Sequence, residues 1–270
     1  VQNAPPKIDM AYLQQMHGDS YNAIAEIYVP ILLDLNHASD LTPALDTLKT
    51  WDYQNHADST SAAVFNAFWR ALIGNTINDD LPEELWVSGG ARAIEIFRNL
   101  VNQPDSPWWD DKTTEDVVET RDEILIKSYA KGVDELNDIF GSDVSTWNWG
   151  DMHVSNFQNE TLGGSGIPPI DNLFNRGPFR TSGGGSIVNA TAWNALYGYE
   201  VTNVPSMRMI VDLSNLNNSL TVHTTGQSGH AYHPHYDDMS QLWADVGYYP
   251  MWWEQESIIN DSEAHLILVP

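Results

Sequence analysis

The sequence predicts an α+β protein with a helical first half and a β-rich second half, the change falling near Gly141. Three observations carry this. Before Gly141, apolar residues recur at helical spacing behind residues that cap helices. After it, glycine, proline and asparagine separate short β-prone runs. The 270 residues are 42% hydrophobic and 11% aromatic, enough apolar material for a large packed core and too much for a disordered chain.

The helical elements follow in order. From 21 to 35, Ile24, Ile27, Tyr28, Ile31, Leu32 and Leu35 mark one helix face, with Asp19 or Ser20 as cap. Pro30 is expected to kink that helix. Thr42-Pro43 opens a short helix with proline at its first position. Ser59-Thr60 precede another, whose face carries Val64, Phe65, Phe68, Trp69 and Leu72. Thr113 with Asp116 resembles a capping box at the head of a long helix that Gly141 closes. Each face is apolar on one side and requires a packing partner.

In the second half, residues 186–188, 207–213, 220–223 and 266–269 read as strands. The run MRMIVDL is apolar through its middle, as a strand buried on both faces would be. Residues 1–140 and 141–270 thus read as a helical region and a β-rich region, both parts of one larger domain.

Charge narrows the function classes. Twelve Lys and Arg stand against 37 Asp and Glu, a formal charge of −25. Such a surface repels phosphate backbones and anionic membranes, which argues against nucleic-acid or lipid-surface partners. No apolar run approaches the roughly 20 residues of a membrane span. The start, VQNAPPKIDM, lacks a charged-then-apolar leader pattern. Cysteine is absent, which removes disulfides, thiol catalysis and thiolate metal sites together.

The densest chemistry lies in TTGQSGHAYHPHYDDM, residues 224–239. A nucleophile elbow needs G-x-S-x-G. Gly226 and Ser228 fit, but His230 stands where the second glycine belongs, and Pro234 marks the following stretch as loop. A tight turn with close backbone approach explains the glycines better. His233, His235, Asp237 and Asp238 offer metal-ligand chemistry, but the proline between the histidines breaks the strand geometry that would aim both rings at one ion. Histidines hydrogen-bonded to nearby backbone are the preferred reading.

Other stretches have plainer explanations too. SGGGS, Ser182 to Ser186, lacks the lysine and hydroxyl ending of a phosphate loop, so close-packed or flexible glycine accounts for it. Trp108-Trp109, Trp147, Trp149 and Trp252-Trp253 read as core and interface packing rather than sugar platforms. The Asn-x-Ser/Thr triplets at Asn159, Asn189 and Asn217 carry no weight.

Taken in order, TWNWGDMH, GGGSIVNATAW, VPSMRMIVDL and TTGQSGHAYHPHYDDM resemble the C-terminal part of the penicillin acylase family. KIDMAYLQQMHGDSYNAIAEIYVPILLDL, LKTWD and SAAVFNAFWRAL are similar to the helical region of that family's large subunit, and Glu263 leading into LILVP resembles its closing strand. The resemblance covers essentially the whole chain.

It implies the C-terminal portion of an αββα N-terminal-nucleophile hydrolase. In that family a serine exposed by self-cleavage attacks an amide carbonyl. Its own α-amine, with a pKa of about 7.7–8.0, serves as base. An asparagine and a backbone N–H hold the oxyanion.

By this alignment Val1 falls after the family's nucleophile, oxyanion asparagine and calcium-binding aspartates. Ser20, Ser228 and the other internal serines cannot substitute, because an acylated nitrogen has no basicity. The expectation is therefore no catalytic, cofactor-binding or metal-binding residue in this chain, and no activity from it alone. The partners implied are an upstream large-subunit segment carrying the serine and any calcium, a small subunit, and a small acylated amide such as a β-lactam or acyl-homoserine lactone. The family resemblance implies a periplasmic or extracellular setting. The rival expectation is a non-catalytic structural or binding protein that keeps the scaffold.

Overall fold

A computed structural model describes residues 7–269. In chain order the helices and strands are α1 (Met10–His17), α2 (Ala23–Asp34), α3 (Thr42–Leu48), α4 (Thr60–Ile73), α5 (Ala91–Leu100), α6 (Arg121–Phe140), α7 (Trp149–Met152) and β1 (Val154–Phe157). Then come α8 (Pro168–Phe174), β2 (Arg176–Arg180), β3 (Ala192–Trp193), β4 (Val201–Asn203), β5 (Met207–Ile210), β6 (Leu220–His223), α9 (Ser240–Ala244), β7 (Tyr249–Pro250) and α10 (Gln255–Asp261). The architecture is mixed α+β, as the sequence predicts.

The chain forms two compact units. The larger comprises Asp19–Asn156 and Gly177–Val204. Its core is organised on α4, capped by the Ser59 hydroxyl, which accepts from the Ala62 N–H at 3.1 Å. Val64, Phe65, Phe68, Trp69 and Leu72 are all buried, but so are Ala62, Ala63, Ala67 and Ala71 on the remaining sides. The helix is therefore enclosed all round rather than on one face. The small residues make this possible, because they let a second helix approach closely.

That helix is α6. A Cβ on Gly132 would lie 2.7 Å from the Phe68 nitrogen and 2.8 Å from the Ala67 carbonyl carbon, so only glycine permits this crossing. Each large side chain buried in the resulting core contributes roughly 1.5–3 kcal/mol relative to exposure.

In α2 the expected face is present: Ile24, Tyr28 and Leu32 are buried, and Ile27, Ile31 and Leu35 pack partly against the core. Its cap is Asn22 rather than Asp19 or Ser20, with the Asn22 side chain accepting from the Ala25 N–H at 3.3 Å. The helix continues past Pro30, which faces solvent, to Asp34. In α3, Pro43 lies in the first turn but second to Thr42.

The start of α6 also differs from expectation. Thr120 and Glu123, not Thr113 and Asp116, form the capping box: the Glu123 carboxylate accepts from the Thr120 N–H at 2.8 Å, and the Thr120 hydroxyl accepts from the Glu123 N–H at 3.4 Å. Thr113 is held elsewhere, donating from both its N–H and hydroxyl to the Asp111 carboxylate. Asp116 has a φ of 62°, outside helical geometry. Gly141 closes α6 as predicted, its N–H donating to the Asn137 carbonyl at 2.8 Å with φ 82°.

Residues 186–188 are not a strand. Gly184 donates to the Asn189 carbonyl and Ser186 has a φ of 60°, so the stretch turns. Within this unit β3 pairs antiparallel with β4, and β1 neighbours β2. Trp109, Trp147 and Trp149 are fully buried, in keeping with the packing reading.

The other unit comprises residues 7–18, Phe157–Arg176 and 205–269. It holds an antiparallel sheet in the order β5-β6-β7. Met207 pairs with His223 and Ile210 with Leu220, and β6 has the predicted limits. The expectation that 207–213 is buried on both faces is not met. The strand ends at Ile210, and Met207 and Met209 are exposed while Arg208 and Ile210 are buried. This is the alternation of a strand with one covered face.

Arg208 is buried because its guanidinium donates to the Trp243 carbonyl at 2.7 Å and lies 4.9 Å from the centre of the Trp243 ring. Residues 266–269, expected as a strand, pair with no described strand and remain about 80–85% exposed.

Candidate functional site

The loop after β6 brings its conspicuous residues together by backbone closure. The Met239 N–H donates to the Thr225 carbonyl at 3.2 Å, and the Ser228 N–H donates to the His235 carbonyl at 2.9 Å. Gly226 sits inside this closure, where a Cβ would fall 2.1 Å from the His235 carbonyl oxygen. The glycine thus serves close approach, as the turn reading expects. Arg176 ties the outside: it pairs with Asp237, donates to the Leu173, Asn175 and Ala231 carbonyls, and lies 4.5 Å from the centre of the Tyr236 ring.

Each histidine has a local partner. His230 Nδ1 accepts from the Tyr232 N–H at 3.3 Å, and His233 Nδ1 accepts from the His235 N–H at 3.1 Å. His235 is set between two carboxylates, with Nδ1 at 2.7 Å from Asp238 and Nε2 at 3.2 Å from Glu263. Its hydrogen bonds to Asp238 and then Glu263 raise its pKa above the ordinary histidine value.

The Ser228 hydroxyl accepts from the His230 N–H at 3.1 Å, and among the described hydrogen bonds none joins it to an imidazole. A serine nucleophile needs a base in reach, and the nearby histidine that could be poised by a carboxylate is held at both nitrogens. Among the described residues, no three His, Asp or Glu side chains converge as a metal site. The arrangement binds loop to loop.

The helical unit contains a cleft of about 350 Å³ that no motif announced. It opens where α4 gives way to a π-helical turn, Gly74–Asn78. Such wide turns are rare and frequent at functional sites. Asn75 faces α6 across it, donating to the Ser128 hydroxyl at 3.1 Å and accepting from Lys131 Nζ at 3.1 Å. Asn78 clamps the Val87 peptide on both sides, accepting at 2.8 Å and donating at 3.3 Å.

Asp79 follows, one oxygen accepting from the Lys112 N–H at 3.0 Å and the other buried with no hydrogen-bond partner among the described residues. Burial raises its pKa.

Behind the cleft runs a polar chain. Arg70 donates to the Ala195 carbonyl at 2.8 Å and pairs with Glu135 at 2.6 Å. The Tyr199 hydroxyl donates to the other Glu135 oxygen at 2.9 Å. Burial, with Glu135 beside it, pushes the Tyr199 pKa upward. The only sequence signal for the cleft was the pair Asn75 and Asn78 at the end of an apolar helix.

SGGGS, in the same unit, is close-packed: Gly183 donates to the Asn55 carbonyl at 2.8 Å, and its own carbonyl accepts from Trp149 Nε1 at 3.1 Å. A Cβ on Gly183, whose φ is 104°, would lie 2.2 Å from the Asn189 oxygen.

This combination of helical unit and small antiparallel sheets has the fold of a penicillin acylase. It matches a thermostable penicillin G acylase from Alcaligenes faecalis with a TM-score of 0.54 at 15% identity, covering 98% of this chain and 50% of that one. The family model described as penicillin amidase matches residues 1–260, and the chain belongs to that family.

Among curated proteins it is similar to the acyl-homoserine lactone acylase QuiP of Pseudomonas aeruginosa, 29% identical over 74% of this chain and 25% of that protein. It is also similar to the penicillin acylase 2 proenzyme of Pseudomonas sp. (strain SE83), 26% identical over 83% of this chain and 28% of that protein. The chain thus spans about a quarter of the length of the curated relatives it matches. No helix among the described residues is long and apolar enough to cross a membrane.

Proposed function

We propose that this chain is the C-terminal scaffold segment of an amidohydrolase that cleaves the amide bond of an acylated small molecule, an acyl-homoserine lactone or a β-lactam side chain. The nucleophile is an N-terminal serine supplied by an upstream segment, and a small subunit and any calcium belong to the rest of the enzyme. The carrying observation is the family match through residues 1–260, in which Ser228, the serine set among histidines, has no imidazole hydrogen-bonded to its hydroxyl among the described residues. Four consecutive exposed apolar residues, Leu266 to Val269, and Leu213 at 89% exposure support a chain that packs against a further segment. A contact well above the roughly 1,600 Å² of a standard interface is expected. A periplasmic or extracellular location forms part of the same reading.

The test compares the full gene product with residues 1–270 alone. Release of the free amine is followed from a long-chain acyl-homoserine lactone and from a phenylacetyl amide. The full product is expected to turn over at least one of them and the isolated chain neither. Turnover by the isolated chain that disappears in Ser228→Ala overturns the reading. An inactive full product across both substrate classes makes the protein a non-catalytic scaffold.

A further inference from the structure

The geometry points to a second binding site: the cleft at the π-helical turn takes a small zwitterion, an α-amino acid with an apolar side chain. The inference does not depend on the amidase reading.

It begins with charge. The chain has only 12 basic residues against 37 acidic ones, yet Arg70 and Lys131 border the same cleft. Arg70 is neutralised by Glu135. Lys131 is not: its ammonium donates to the neutral Asn75 oxygen at 3.1 Å and makes no ion pair among the described residues. A cation left without a carboxylate in so acidic a protein is a seat for an incoming one.

The opposite charge borders the same cleft: Asp79 directly follows the π-helical turn Gly74–Asn78, and it and Lys131 both line the cavity. Its carboxylate accepts from the Lys112 N–H at 3.0 Å, and its second oxygen is buried with no hydrogen-bond partner among the described residues. A buried carboxylate oxygen without a donor carries a cost that a ligand ammonium would relieve. Burial already makes its charged form less stable, which adds to that gain.

The ligand must carry both signs. A plain anion would face Asp79, Asp111 and Glu135, which also border the cleft, and a plain cation would face Lys131 and Arg70. With its carboxylate on Lys131 and its ammonium on Asp79, an amino acid would direct its side chain to the apolar wall of Ile73, Trp86 and Leu196. The cleft volume of about 350 Å³ lies at the small end of ligand pockets, about 300–1,000 Å³, and suits a molecule of this size.

The test is calorimetric titration of the full chain with L-leucine, and with N-acetyl-L-leucine and L-leucinamide, which each remove one charge. Leucine is expected to bind, and each analogue to bind at least roughly tenfold more weakly. Lys131→Met should weaken leucine by a similar factor. Lys131 is exposed on α6, so the variant is expected to melt at the wild-type temperature. Asp79→Asn should selectively reduce the penalty for losing the ammonium. The proposal is overturned if leucine, isoleucine and phenylalanine all fail to bind, if N-acetyl-leucine binds as well as leucine, or if a folded Lys131→Met retains full affinity.

Discussion

His153 lies flat against Trp149, the ring centroids 4.3 Å apart and the planes inclined by 15°. The pair is fully buried. His153 Nδ1 faces the Tyr199 carbonyl at 2.8 Å, so this nitrogen carries the proton, and Thr191 Oγ1 lies 3.1 Å from Nε2. Trp149 in turn donates to Gly183, so the stack links α7 to the glycine run.

Burial lowers the His153 pKa to about 4, from an ordinary value of 6.5. The folded pKa is below the unfolded one, so the contribution of a neutral His153 is complete above pH 6.5. It declines as pH falls toward 4, because only the unfolded chain takes up the proton there, and changes no further below that. Relative to His153→Gln, the wild type should lose roughly 1 kcal/mol per pH unit within that window. Urea unfolding at several pH values measures the difference. A difference that stays flat would mean that the buried ring is already protonated.

Gly132→Ala should loosen the crossing of α4 and α6. The new methyl would press on the Phe68 nitrogen at 2.7 Å, and backbone cannot give way as a flexible side chain can. A loss of about 1–3 kcal/mol is expected, read as a lowered melting temperature. An unchanged melting temperature would mean that the helices are not in backbone contact here.

The capping box separates the two candidate starts of α6. Thr120→Ala should cost about 1 kcal/mol and speed amide exchange in the first turn of the helix. Thr113→Ala should leave those amides unchanged, since Thr113 bonds to Asp111. The reverse pattern would restore the earlier start.

In the loop after β6, Ser228→Ala should leave the activity of the full enzyme within about twofold, because no base among the described residues is hydrogen-bonded to the hydroxyl. His235→Asn should likewise spare activity but release the ion pair to Glu263. Limited proteolysis would then cut within residues 262–269 faster than in the wild type. A loss of turnover of roughly a hundredfold in either variant would place the loop in the chemistry.

Much of the fold was legible along the chain because it rests on near neighbours. The buried face of α2, the Ser59 cap of α4, the Gly141 stop of α6 and the limits of β6 all follow from periodicity and from hydrogen bonds spanning a few residues. The ordered set of motifs carried the family resemblance for a similar reason, since each motif is itself a short turn or packing unit.

Tertiary structure decided what depends on distant partners. MRMIVDL looked buried on both faces, yet β5 is an edge strand, and it is Arg208 that goes inside because Trp243, 35 residues away, covers it. The turn reading of the loop was available from the sequence, but that His235 is set between Asp238 and Glu263, the latter 28 residues on, was not. The π-helical cleft was marked along the chain only by Asn75 and Asn78, because Lys131 is brought to Asn75 from 56 residues away. A side chain's charge and hydrogen-bonding capacity belong to the residue; whether they are satisfied depends on what the fold places beside it.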